Sequence, residues 1–230
     1  MADEPVLTVG SAAEWLAWLR ANHARSAGVR LRLAKGKAPG LRYPEALDAA
    51  LTWGWIDSQK WAEGEASWLQ RFSPRTAASP WSKINRAKAE ALIAAGAMAA
   101  PGLREVERAK SDGRWERAYD GARSSTVPDD LADALARAPG AREFFDALSG
   151  ANRYAILYRV QTAVRPETRA RKIEELAALC ARGETIHPAK KPDAAKKPAP
   201  GKKPAPGKKP APGKKPAPAK TPAPAKPARR

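Results

Sequence analysis

Apolar positions recur along this chain at changing intervals, and each change of interval marks an element. Val6 to Val9 is a short apolar lead-in. Ser11 and Glu14 then form a capping-box pair ahead of Trp15, Trp18 and Leu19, which fall on one stripe of a helix over residues 12–22. Gly28 breaks that helix. Val29, Leu31 and Leu33 alternate with Arg30 and Arg32, the signature of a half-buried strand with a basic outer face. After the turn GKAPG, Tyr43-Pro44-Glu45 opens a second helix with Pro at its first position, and Gly54 ends it. Residues 54–61 and 66–72 read as two strands joined around Gly64. Trp55, Asp57 and Gln59 share one face of the first, and Trp68, Gln70 and Phe72 oppose Leu69 and Arg71 on the second.

Further on, Ser79-Pro80 has the order of a helix cap and first residue, which predicts a helix from Pro80 to Ala95 closed by Gly96. Another runs from Pro101 through Lys110. From Val127 the spacing is helical throughout. Leu131 and Leu135, the segment AREFFDAL, then Ile156, Leu157 and Val160, and finally Ile173, Leu176 and Cys180 give four short amphipathic helices. The fold class is therefore α+β: a small antiparallel sheet with packed helices, followed by a C-terminal helical bundle region. We divide the chain into an α+β domain at residues 1–125, a helical domain at 126–188 and a tail at 189–230.

No apolar period survives in the tail. From Lys190 a six-residue repeat appears, KKPDAA, then KKPAPG three times, KKPAPA and KTPAPA. Such a segment has nothing to bury and is expected to be disordered, biased to extended polyproline II. Two turns per repeat put the lysine pairs on one side roughly every 19 Å. Those pairs, Lys190, Lys191, Lys196, Lys197, Lys202, Lys203, Lys208, Lys209, Lys214 and Lys215, are the candidate nucleic-acid contacts. The chain's net charge of +18 is concentrated here; residues 1–188 keep only +5. The tail is thus expected to touch DNA or RNA loosely, through phosphates and without base readout.

One cysteine in 230 residues excludes an internal disulfide and fits a reducing compartment. MADEPVLTVG lacks a signal-peptide pattern and no apolar run is long enough to cross a bilayer, so we expect a cytoplasmic protein without membrane insertion, with nucleoid association as the alternative. With two histidines and Cys180 far apart in sequence, no metal set, cofactor motif or nucleophilic triad is nominated, and GKAPG lacks the spacing of a phosphate loop.

The chemistry concentrates between Trp53 and Arg86, where five of the eight tryptophans interleave with arginines. Trp55, Asp57, Gln59, Arg71, Arg75, Trp81 and Asn85 are the candidate binding residues for a small polar or anionic ligand. A strand face carrying Trp, Asp and Gln together suits a lined pocket better than a plain core. The competing reading is a structural ion pair of Asp57 with Arg71 or Arg75. Glu63 and Glu65 flank Gly64 and read as solvated loop carboxylates.

Four stretches in order, YPEALDAALTWGWIDSQK, WLQRFSPR, SPWSKINRAKAEALIAAGAM and NRYAILYRVQTAVRPETRARKIEELAALCARGE, resemble the YdeI/OmpD-associated family, also called bacteriocin-protection proteins. The resemblance spans about residues 5–187. Where the family often has Cys-Phe before Gly-Trp-Ile-Asp, this chain has Thr52-Trp53, and the tail instead resembles the Lys/Pro/Ala tails of linker-histone-like proteins. The resemblance implies an α+β region followed by a small helical domain, and it brings no catalytic residues. It favours a binding or stress-protection module over two alternatives. One is an enzyme acting on a small anionic substrate through Asp57, clamped by Arg71 and Arg75. The other is a nucleoid-associated DNA-binding protein.

Overall fold

The computed structural model describes residues 4–188, so the lysine repeat and its candidate contacts lie outside the described residues. The elements follow in the order β1 (Val6–Leu7), α1 (Ala12–Asn22), β2 (Val29–Ala34), α2 (Tyr43–Thr52), β3 (Trp55–Glu63), β4 (Ser67–Pro74), α3 (Lys83–Ala94), α4 (Ala100–Ser111), α5 (Asp129–Arg137), α6 (Ala141–Ala147), α7 (Gly150–Gln161) and α8 (Pro166–Ala181). The fold is α+β, with a four-stranded sheet ordered β1-β2-β4-β3.

That sheet is mixed, which corrects the all-antiparallel expectation. The lead-in at Val6–Leu7 pairs parallel with Arg30 and Leu31. Helix α1 lies between the two strands and carries the chain back to the same end, so β2 sets out in the direction of β1. The pairs β2·β4 and β4·β3 are antiparallel.

Beneath the sheet sits the first core. Trp15, Leu19, Val29, Leu31, Leu33, Leu47, Trp55 and Phe72 are buried together. Trp15 donates its indole N–H to Ala46 O at 3.1 Å and packs edge-on to Trp55, with 6.2 Å between ring centroids. The alternation read in β2 is realised residue by residue, buried then half-buried, over all six positions. A second core holds Leu131, Leu135, Phe145, Ile156, Val160, Ile173, Leu176 and Cys180. Burial pushes the Cys180 thiol up, as expected of an inert core cysteine.

Helix α3 starts three residues later than Ser79-Pro80 implies. Ser82 caps it by accepting from Asn85 N, while Ser79 Oγ accepts from Thr76 N at 2.9 Å. The delay comes from a parallel bridge. Tyr119 N donates to Trp81 O and Lys83 N to Tyr119 O, each at 2.9 Å, and this pairing holds residues 81–82 extended. The segment after α4 is thereby stitched to the start of α3. Asp120 N donates in turn to Gln161 Oε1 at 2.8 Å, and Tyr154 OH donates to Asp120 O at 3.1 Å, both from α7.

Candidate functional site

The seven candidate residues do not all converge, and for Gln59 a β-bulge is the reason. Asp57 pairs with Phe72 and Lys60 with Gln70, so Ser58 and Gln59 together stand opposite Arg71 alone. One extra residue inverts the side-chain alternation beyond it. Trp55 and Asp57 lie on the inner face with Phe72, but Gln59 is exposed and contributes only its backbone O, accepting from Gln70 Nε2 at 3.1 Å.

Arg71 belongs to the opposite face of the sheet, in register with Arg30. Glu4 grips it there, with Nη2 to Oε1 at 2.6 Å and Nε to Oε2 at 2.8 Å, and Nη1 reaches Ser73 Oγ at 3.1 Å. It therefore cannot clamp a ligand held by Asp57. Trp55 is a core residue whose indole donates to His23 O at 3.3 Å. Glu63, read as a solvated loop carboxylate, is instead gripped by Arg32 at 2.6 and 2.7 Å, which together with Ser67 holds it at about 2.

Asp57 and Asn85 share one pocket, and Arg75 and Trp81 stack on each other outside its lining. Asp57 and Asn85 line a pocket of about 350 Å³ together with Tyr43, Ser82, Lys88, Tyr119 and Tyr154. Asp57 accepts from Tyr43 OH at 2.9 Å, and neither expected ion pair forms. Burial first, and the Asp57 charge second, raise the Tyr43 phenol. Burial and the neighbouring Tyr158 and Tyr154 push Tyr119 up to about 12, opposed by Arg75. Both phenols are therefore neutral at physiological pH and remain hydrogen-bond donors.

Arg75 follows β4 directly. It is only 4 % exposed. Its guanidinium stacks on Trp81 with the carbon 3.6 Å from the ring centroid, and Nη1 donates to Pro80 O at 3.2 Å. Its Nε and Nη2 groups are buried without a hydrogen-bond partner among the described residues. Burial pulls its pKa down to about 10, with Tyr119, Glu105 and Asp57 pulling the other way through space. Trp81 is also packed edge-on to Trp115 at 4.8 Å and borders a larger cleft of about 670 Å³ between the two cores. Tyr119 lines both spaces.

The three tyrosines of the pocket escaped the sequence reading: Tyr43, Tyr119 and Tyr154. Tyr43 was visible only as a helix opening. Tyr154 was hidden in the apolar stripe of α7, and Tyr119 lies in a stretch without any period. Each comes from a different part of the chain, namely the start of α2, the connector after α4, and α7.

That division coincides with the comparisons to known families. Residues 7–105 match a domain of unknown function (DUF8412), and residues 124–183 match the family described as Bacteriocin-protection, YdeI or OmpD-Associated. Over residues 124–183 the chain is similar to that family. Its helices α5 to α8 fill that match, and the motif beginning at Asn152 lies within it but for its last residue, Glu184, while the three earlier motifs fall within the first match. No curated protein and no solved structure matches the chain. The pocket thus takes Tyr43, Asp57 and Asn85 from the first matched segment and Tyr154 from the YdeI/OmpD-associated domain. Among the described residues no helix is long and apolar enough to cross a membrane, and no His, Cys, Asp and Glu group is placed to hold a metal.

Proposed function

We propose that this chain is a binding module for a small, negatively charged ligand, held in the pocket between the DUF8412 segment and the YdeI/OmpD-associated domain. Asp57, Arg75, Trp81 and Asn85 are the residues of the original candidate set that serve it, joined by Tyr43, Tyr119 and Tyr154. The observation that supports this reading is Arg75, a buried guanidinium with two nitrogens unpaired among the described residues, stacked on Trp81 at the border of the larger cleft. A buried charge left without a partner is costly, and an arriving anion recovers much of that cost. The start of α3 adds to the attraction, since its positive dipole end carries no acidic residue in the first turn.

The test is a thermal-shift and calorimetric screen of anionic metabolites against the parent and Arg75→Met. A ligand at 100 times its Kd raises stability by about 2.7 kcal/mol. The parent should show that shift for at least one anion and Arg75→Met should lose it. A parent that responds to no anion, or a variant that responds equally, would overturn the reading.

A second activity is favoured by the lysine repeat. We propose that the pairs from Lys190 to Lys215 add nonspecific affinity for DNA or RNA, on the strength of the charge concentrated there. Protection against bacteriocins or other stress is the role suggested by the description of the C-terminal family, and ligand capture is the step by which this chain would serve it.

A further inference from the structure

The smaller pocket is built on the start of a helix. Ser82, Ile84 and Asn85, the cap and two first-turn residues of the twelve-residue helix α3, all line it. The first N–H of that helix, from Lys83, donates to Tyr119 O, and the third, from Asn85, donates to Ser82 Oγ. The N–H of Ile84 between them has no partner among the described residues. The Asn85 side chain is only 8 % exposed, yet its carboxamide has no hydrogen-bond partner among the described residues either. Asp57 lines the same space. Its Oδ2 accepts from Tyr43 OH at 2.9 Å, while its Oδ1 accepts from no group among the described residues. Lys88 also borders the pocket, its ammonium held by Asp48 at 2.6 Å.

A helix start and an unpaired amide attract an anion, yet a carboxylate stands in the same lining. The two suit one ligand when the anion brings a proton of its own. A carboxylate accepts hydrogen bonds and donates none, so it repels a bare oxyanion and holds one that presents an O–H. Among carboxylate, sulfate and phosphate groups, only phosphate keeps such a proton near neutral pH. A phosphate monoester loses its second proton at a pH of about 6, whereas a sulfate ester has none to offer. We infer that the pocket takes a phosphate monoester in its singly protonated form. The P–OH donates to Asp57 Oδ1, and the bare oxygens accept from the Asn85 amide and the N–H of Ile84. The rings of Tyr43, Tyr119 and Tyr154 are left for the organic part of the ester. A volume of about 350 Å³ is that of a small-molecule site. This rests on the anion-binding reading above and accounts for the acid in an anion's pocket.

The experiment is calorimetry on the full chain at about 0.5 M salt, where the attraction of the lysine repeat for free anions is screened. Phosphate and sulfate esters of the same alcohols (glycerol, serine and the hexoses) are compared with inorganic phosphate and simple carboxylates. At least one phosphate monoester should bind about 100-fold more tightly than its sulfate counterpart. Asp57→Asn, whose amide oxygen still accepts from Tyr43 and whose nitrogen donates to a bare oxyanion, should abolish that preference. Asn85→Leu should weaken both esters about tenfold. Phosphorus NMR of the bound ester at a pH of about 8 should show the protonated monoanion, although the free ester is almost wholly dianionic there. That reading decides even if Asp57→Asn does not fold. A bound dianion, or a preference that survives Asp57→Asn, overturns the inference. Free phosphate binding as tightly as every ester overturns the ester assignment. If sulfate esters or carboxylates bind as tightly as the phosphates and depend on Asn85, the inference fails and the anion reading survives. If no anion binds the parent, both fail.

Discussion

Replacing Arg75 by methionine separates what this residue does for the fold from what it does for a ligand. Burial lowers its proton affinity by roughly two and a half decades, a cost of about 3 kcal/mol at 1.36 kcal/mol per decade. Against this stand the stack on Trp81, worth about 2 kcal/mol when shielded from water, and one hydrogen bond to Pro80 O, worth about 1 kcal/mol. The two sides nearly cancel. Methionine keeps the length and the contact with the indole while removing the stranded N–H groups. Urea denaturation followed by tryptophan fluorescence should therefore place Arg75→Met within about 1 kcal/mol of the parent. Arg75→Lys, which keeps the charge but loses the planar stack, should be the less stable of the two variants. A methionine variant weakened by more than about 3 kcal/mol would refute the reasoning. It would mean that the guanidinium is a net contributor to folding, with nothing held in reserve for a ligand.

All four tyrosines have raised phenol pKa values, through burial first in each case. Absorbance at alkaline pH should show no native ionisation step at the ordinary tyrosine value. The stabilisation they provide is complete below that value and is lost as pH rises toward about 12, where Tyr119 titrates, so alkaline unfolding and tyrosine ionisation should coincide. Gly102→Ala should destabilise the chain by about 2 kcal/mol in the same urea assay. A β-carbon there would meet Leu51 O at 2.9 Å and Thr52 O closer still, forcing α4 off the end of α2. For Glu63, carbon-detected NMR should give a midpoint near 2 that returns toward the ordinary glutamate range in Arg32→Gln. Its bridge is present at neutral pH and disappears only as pH falls through about 2. Retention of the full chain on DNA should fall with salt at a log–log slope of roughly −6, and truncation after His187 should abolish it.

The elements that one period could describe were legible from the residues alone. Strand β2 and helix α1, with its Ser11 cap, carry their own instructions in spacing and capping chemistry. What escaped depends on pairing between distant segments. No local pattern marks the extra residue at Ser58-Gln59, yet it decides that Gln59 turns away from the face that Trp55 and Asp57 share. The start of α3 is set by Tyr119, far along the chain, and the parallel partner of β1 by the path of α1. Arg75 and Trp81 both stood in the candidate set, but the stack between them and the isolation of Arg75 from any ion pair among the described residues are matters of three-dimensional neighbours. Residue type alone could not convey it.

Because one wall of the pocket is supplied by Tyr154 on α7 and the rest by the sheet, its neighbouring helices and the connector, neither matched segment encloses the space by itself. Specificity can then change by recombination: joining the same sheet to a helical partner with another side chain at that point re-tailors the chamber without touching Asp57 or Arg75. Any ligand held there would meet the seam between the two matched segments.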